Sequence, residues 1–221
     1  SKDLENGNSA KGLTGKLGNG TGKWRLTISS SLDLSAQSLI RTPDGFLTNL
    51  SALVTSNQNG DATLSFFNPA SNTTQQSFIR LINPGPKTSS VSISAVDDAG
   101  QISPNGDVSL TLGSGQSVEL SATDLEQGNT NLQLIGSLGV GDGRWRLDVA
   151  SEPKIKVMSY VQTSTGFLTN MSKVVGAAST SNKVWIFNPG SNTNQASKLR
   201  VINNGSSAAA VSISGVDDAG I

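Results

Sequence analysis

The chain of 221 residues has no cysteine and no histidine. Without thiols a disulfide framework is excluded. Without either residue, Ser-His-Asp and Cys-His nucleophiles and typical zinc sites are excluded as well. Charge is also scarce, at 14% of residues, with 16 basic and 16 acidic side chains cancelling to a formal net charge of zero. Nucleic acid and anionic membrane surfaces are therefore not expected partners, because both are held mainly by surplus positive charge. No apolar run approaches the roughly 18 residues of a membrane-crossing helix, so membrane insertion is not expected either. The opening SKDLENGN is polar and carries no signal-peptide pattern; it reads as a processed chain or an excised piece. What remains is rich in Gly, Ser, Thr and Asn. That composition with low charge points to an extracellular β protein.

Self-similarity dominates the rest. DLENGN at Asp3 returns as DLEQGN at Asp124, GTGKWRL at Gly20 as GDGRWRL at Gly141, and GFLTNL at Gly45 as GFLTNM at Gly166, each 121 residues apart. FNPASNT at Phe67 returns as FNPGSNT at Phe187, RLIN at Arg80 as RVIN at Arg200, and VSISAVDDAG at Val91 as VSISGVDDAG at Val211, each 120 apart. A fixed period of this kind marks a repeat architecture. Residues 101–123 have no second copy within the chain. The one-residue change in period falls among the polar stretches TSNQNGDA (Thr55–Ala62) and AASTSN (Ala177–Asn182), where module borders are placed because loops tolerate length change. The expected organisation is the C-terminal part of one module in residues 1–56, a complete module in 57–177, and the N-terminal part of the next in 178–221.

Period-two alternation predicts strands. Trp24, Leu26 and Ile28 share one face of KWRLTIS, and Val91, Ile93 and Ala95 share one face of SVSISAV. DVSLTL and SVELS alternate likewise, and the GSGQ between them predicts a hairpin turn. Ile79 and Leu81 correspond to Leu199 and Val201, whereas Phe78 corresponds to Lys198, which puts Phe78 on the solvent side. SATDLEQG is the one helical candidate, with Ser or Thr as N-cap. About eight short strands per period predict an all-β fold of tandem antiparallel β-sandwich (Ig-like) modules. A partial module leaves sheet edges open, and an open edge is a template for a further strand.

Little in the sequence suggests chemistry. GSGQS near Ser114 fails the nucleophile-elbow pattern. GNGTG and GSLGVGDG lack the Lys-Ser/Thr and the helix of a phosphate loop. Asp97/Asp98 and Asp217/Asp218 are the carboxylate pairs to consider. Neighbours on a strand point to opposite faces and would not flank one glycosidic bond. A strand-ending turn, with Asp capping backbone N–H groups or pairing with Arg, is the leading reading. Calcium, held by these four carboxylates and turn carbonyls, is the second, although no EF-hand spacing is present. Arg25, Arg146, Arg80 and Arg200 read as structural ion-pair partners. Trp24 and Trp145 read as core. Trp185 and Phe78 are the candidate stacking residues for a ligand such as a surface glycan. NLS at Asn49 and NMS at Asn170 fit the glycosylation pattern.

Taken together, FNPASNTTQQSFIRLINPG, VSISAVDDAG, DLEQGN, GTGKWRL and RTPDGFLTNLS resemble a repeat module of secreted and surface proteins of Gammaproteobacteria. There the module occurs in tandem or appended to other domains, including trypsin-like proteases. The resemblance covers nearly the whole chain and implies an extracellular or cell-surface accessory or structural module, beginning near FNP and ending near GFLTNLS. It carries over no catalytic residue. The expected function is a non-enzymatic repeat that builds a stalk, adhesin shaft or self-assembling filament. Its expected partners are copies of itself or adjacent repeats, including through strand complementation. The alternative is a carbohydrate-binding accessory module of a secreted enzyme.

Overall fold

The computed structural model describes residues 2–33, 35–42, 45, 47–57, 59–173, 183–184, 187–192, 197–203, 205 and 207–216. Contacts group the chain into two compact units, Ser1–Ala36 and Gln37–Ile221. The first unit holds a short helix α1 (Lys2–Asn6) and a 3-10 turn (Ser9–Lys11), with no strand among its described residues.

The second unit is all-β. A small hairpin, β1 (Leu39–Arg41) with β2 (Leu47–Asn49), precedes β3 (Ala62–Phe67), β4 (Gln75–Ile82), β5 (Ser89–Val96), β6 (Val108–Leu112) and β7 (Ser117–Ser121). Helix α2 (Ala122–Gln127) follows, and then β8 (Trp145–Glu152), β9 (Lys156–Thr163) and β10 (Leu168–Asn170). Two four-stranded antiparallel sheets result, ordered β3-β8-β5-β6 and β10-β9-β4-β7.

Alternation in the sequence becomes burial. In β5, Val91, Ile93 and Ala95 are buried while the intervening serines face outward, and in β8 Trp145, Leu147 and Val149 are buried. These side chains meet Ile79, Leu81, Leu120 and Val157 of the opposite sheet in one core. Each fully buried aliphatic side chain contributes about 1.5–3 kcal/mol. The helix expected at SATDLEQG is α2. Its N-cap is Ser121, whose Oγ accepts from the Asp124 amide (3.2 Å) while Asp124 Oδ2 accepts from the Ser121 amide (2.8 Å), a reciprocal capping box.

Two expectations need correction. GSGQ does not close a hairpin, because β6 pairs with β5 and β7 with β4 in the other sheet. The turn carries the chain between sheets and is tied to the β4–β5 connection. Asn83 Nδ2 donates to the carbonyls of Leu112 and Gly113 (both 3.0 Å), and the Asn83 amide donates to Gln116 O (2.9 Å). Secondly, Trp24, Leu26 and Ile28 are exposed and lie in no strand, although their counterparts in β8 are core. The apolar pattern is shared, Trp24, Leu26 and Ile28 matching Trp145, Leu147 and Val149; what differs is the presence of neighbouring strands, from which a strand gains most of its stability. The stretch 55–62 also proves to be a closed turn, in which the Asn57 amide donates to Asp61 O (2.8 Å) and Ser56 bridges to Ala62.

One comparison isolates tertiary context from sequence. Ile93→Ala opens a cavity in the core and is expected to cost about 2–5 kcal/mol. The counterpart change Ile213→Ala, at a residue 71% exposed, should leave sandwich stability unchanged within about 0.5 kcal/mol. Urea unfolding followed by Trp fluorescence measures both, and equal effects would contradict this packing.

Candidate functional site

The repeated polar motifs gather around the ends of the strands. β5 ends at Val96, so Asp97 and Asp98 stand in the turn beyond it and strand alternation no longer separates their side chains. Asp97 Oδ1 accepts from the amides of Ala99 (3.0 Å) and Gln101 (2.8 Å), and its Oδ2 from the amide of Asp142 (2.9 Å). Asp98 Oδ2 accepts from the Arg144 amide (2.9 Å), and its Oδ1 pairs with Arg200 Nη2 (2.6 Å). Both carboxylates therefore grip the loop that leads into β8. Gly143, at φ +80°, lets the backbone pass against Asp98, where an added Cβ would lie 2.7 Å from a carboxylate oxygen. Asp217 and Asp218 lie outside the described residues, as does Trp185.

Around the same loop, Asn68 of FNPASNT is fully buried. Its amide donates to Ser77 Oγ (2.8 Å), its Nδ2 to Gln75 O (2.8 Å), and its Oδ1 accepts from Arg144 Nε (3.1 Å). Glu126 of DLEQGN is buried too, with Oε1 accepting from the Ala70 amide (3.0 Å) and Trp145 Nε1 (2.9 Å). This one oxygen joins α2, the FNP turn and β8. Sequence reading placed Trp145 in the core but missed Glu126; the signal available was a Glu and a Trp returning in both copies at one separation. Gly141 is close-packed for the same tryptophan, since a Cβ there would lie 2.4 Å from its ring.

Other expected sites are placed as follows. Phe78 is partly buried on the outer face of the β10-β9-β4-β7 sheet and stacks on Tyr160 across the strand pair, with ring centroids 5.3 Å apart. Burial and the neighbouring Glu119 push the Tyr160 hydroxyl pKa up. The arginines take acidic neighbours: Arg80 with Glu119 (4.0 Å) and Arg146 with Asp148 (3.8 Å). Asn49 and Asn170 close Asx turns, accepting from the amides of Ser51 and Ser172 (both 2.9 Å). An open depression of about 360 Å³ on the outer face of the β3 sheet is lined by Asp61, Asp107 and Asp148. Among the described residues, however, no group of three or more His, Cys, Asp or Glu is arranged to hold a metal ion. No known protein family, curated protein or solved structure matches the chain.

Two variants and a pH series test this framework. Glu126→Ala strands the Ala70 amide and the Trp145 N–H in the core and is expected to cost about 2–4 kcal/mol, while Glu126→Gln, which keeps an acceptor, should cost less than half of that. Chemical denaturation measures both; equal costs would sink the acceptor role. Burial pushes the Asp124 carboxyl up, but hydrogen bonds from Asn129 and Ser121 outweigh it and hold the pKa below its ordinary value. Burial likewise opposes, and Arg200 with the Arg144 amide outweighs, at Asp98. A pKa depressed by folding stabilises above the unfolded value near 3.9 and is lost as pH falls through the folded one. Stability should therefore drop below about pH 4, and Asp124→Asn should flatten that drop.

Proposed function

We propose that this chain is a non-enzymatic structural repeat of an extracellular bacterial protein, whose sandwich modules give length to a stalk, shaft or filament. The observation that carries this reading is where the repeated polar residues spend their hydrogen bonds. The Asp124–Asn129 bond (2.7 Å) recurs as Asp3–Asn8 (2.6 Å), and the Asn68–Ser77 bond (2.8 Å) as Asn188–Ser197 (2.8 Å). Asn83 Nδ2 to Lys87 O (2.7 Å) recurs as Asn203 Nδ2 to Ser207 O (2.7 Å). What is repeated is thus local scaffolding: turn closures and caps that let a module hold its own strands. A catalytic or binding motif would instead leave polar groups aimed at a cleft.

Extension by repetition needs no ligand. Each module adds its length, and adhesion or matrix formation follows from many weak surface contacts acting together. Intact mass combined with electron microscopy of the native material tests the reading. Long thin particles are expected, either from a much larger polypeptide of tandem modules or from 22.8-kDa chains assembled end to end. Compact particles of one chain would overturn it. A glycan array tests the rival directly: no saturable binding is expected, whereas binding lost on Phe78→Ala or Trp185→Ala would favour a carbohydrate-binding module.

A further inference from the structure

The two flanking parts of the chain carry exposed apolar residues whose counterparts form the core. Trp24, Leu26 and Ile28 are 43%, 50% and 64% exposed, and Val211 and Ile213 are 60% and 71% exposed. Their counterparts Trp145, Leu147, Val149, Val91 and Ile93 are all at most 2% exposed. In the complete sandwich these two sets pair with each other: β8 lies between β3 and β5, with Ile93 opposite Val149 and Ser94 opposite Asp148. β9 likewise lies beside β4, with Ile79 opposite Ser159.

We propose that residues 24–31 of one copy pair with residues 211–216 of a second copy, and residues 36–38 with residues 199–201, building a further sandwich between chains. The repeat sets the register: Ile28 falls opposite Ile213, Thr27 opposite Ser214, and Ser38 opposite Leu199. Trp24 meets Phe187 as Trp145 meets Phe67. Within these 221 residues only β6 and β7 have no counterparts, and both are edge strands. Their loss leaves three contiguous strands in each sheet.

A second copy is favoured over closure within one copy because a single copy leaves both sets unpaired, with residues 24–31 and 211–216 in no strand and their apolar side chains exposed. Residues around Val54 are bonded to β9, through the Val54 amide and Val157 O (2.8 Å), and Asn170 Nδ2 donates to Ala52 O (3.1 Å). Arg200 is instead paired with Asp98 at the end of β5, in the other sheet. These two flank segments are thus held on different sheets of the complete module. This inference rests on the structural-repeat reading and names one partner for it, a second copy of this chain.

The absence of native cysteine makes the test clean. Thr27→Cys and Ser214→Cys variants of this 221-residue chain are mixed and oxidised mildly. Residues directly opposite on antiparallel strands have Cα atoms about 4.5–5.5 Å apart, within disulfide reach. The control mixes Thr27→Cys with Ser94→Cys, a serine in the same local sequence whose strand is already paired on both sides. About tenfold more heterodimer is expected from the first mixture than from the control. Equal yields would overturn the proposal, as would a double Thr27→Cys/Ser214→Cys variant that closes only within single chains. Cooperative unfolding is followed on the same samples. Failed cross-linking with that transition intact removes the pairing between copies and leaves the repeat reading to the mass and microscopy test.

Discussion

β8 reaches the core only by entering between β3 and β5, and the rest of the sandwich depends on that insertion. Strands from the front of the module, β3 to β5, leave a gap that strands from its back must fill. The reason is geometric. The β3 sheet gains its central strand after roughly fifty residues of intervening chain, and β9 in the same way covers the free edge of β4. A module of this topology stays incomplete until both its halves are present. Such non-local pairing also makes closure late and cooperative, since the loop entropy is lost before the buried area is gained.

The polar motifs serve the same joint. Glu126 fastens Trp145 of β8 to the FNP turn ahead of β4, Asn68 takes the side chain of Arg144, and the two aspartates after β5 hold the backbone entering β8. All of these contacts link front to back. Buried polar groups of this kind contribute modestly when satisfied, but leaving one partner unmatched costs the full desolvation of the other. They therefore act mainly as specificity: a wrong strand in the gap would leave the Trp145 N–H and the Ala70 amide without an acceptor. That logic explains why polar residues as well as core residues are copied with the repeat.

The polar residues of this chain are occupied in scaffolding. Asp97 and Asp98, which looked like candidate metal or acid–base groups, are engaged by backbone N–H groups, and Phe78 is packed against Tyr160. The outer faces carry Ser, Thr and small ion pairs.

Much of this was legible in one dimension. Alternation in β5 and β8 named the inward residues, the repeat separated Phe78 from its inward neighbours, and SATDLEQG announced a helix with Ser or Thr as its N-cap, because these patterns depend on residues near one another in sequence. Strand partners were not legible. GSGQ is a plausible hairpin turn wherever its flanking strands share a sheet, and only the pairing of β6 with β5 and β7 with β4 shows that they do not. The role of Glu126 was equally hidden, since its two donors come from distant stretches of chain. The clearest case is the tryptophan motif itself: near-identical local sequence is core in β8 and exposed at Trp24. Sequence determined which residues could be buried; neighbouring strands decided which of them were, because a β-strand takes its stability from the strands on either side.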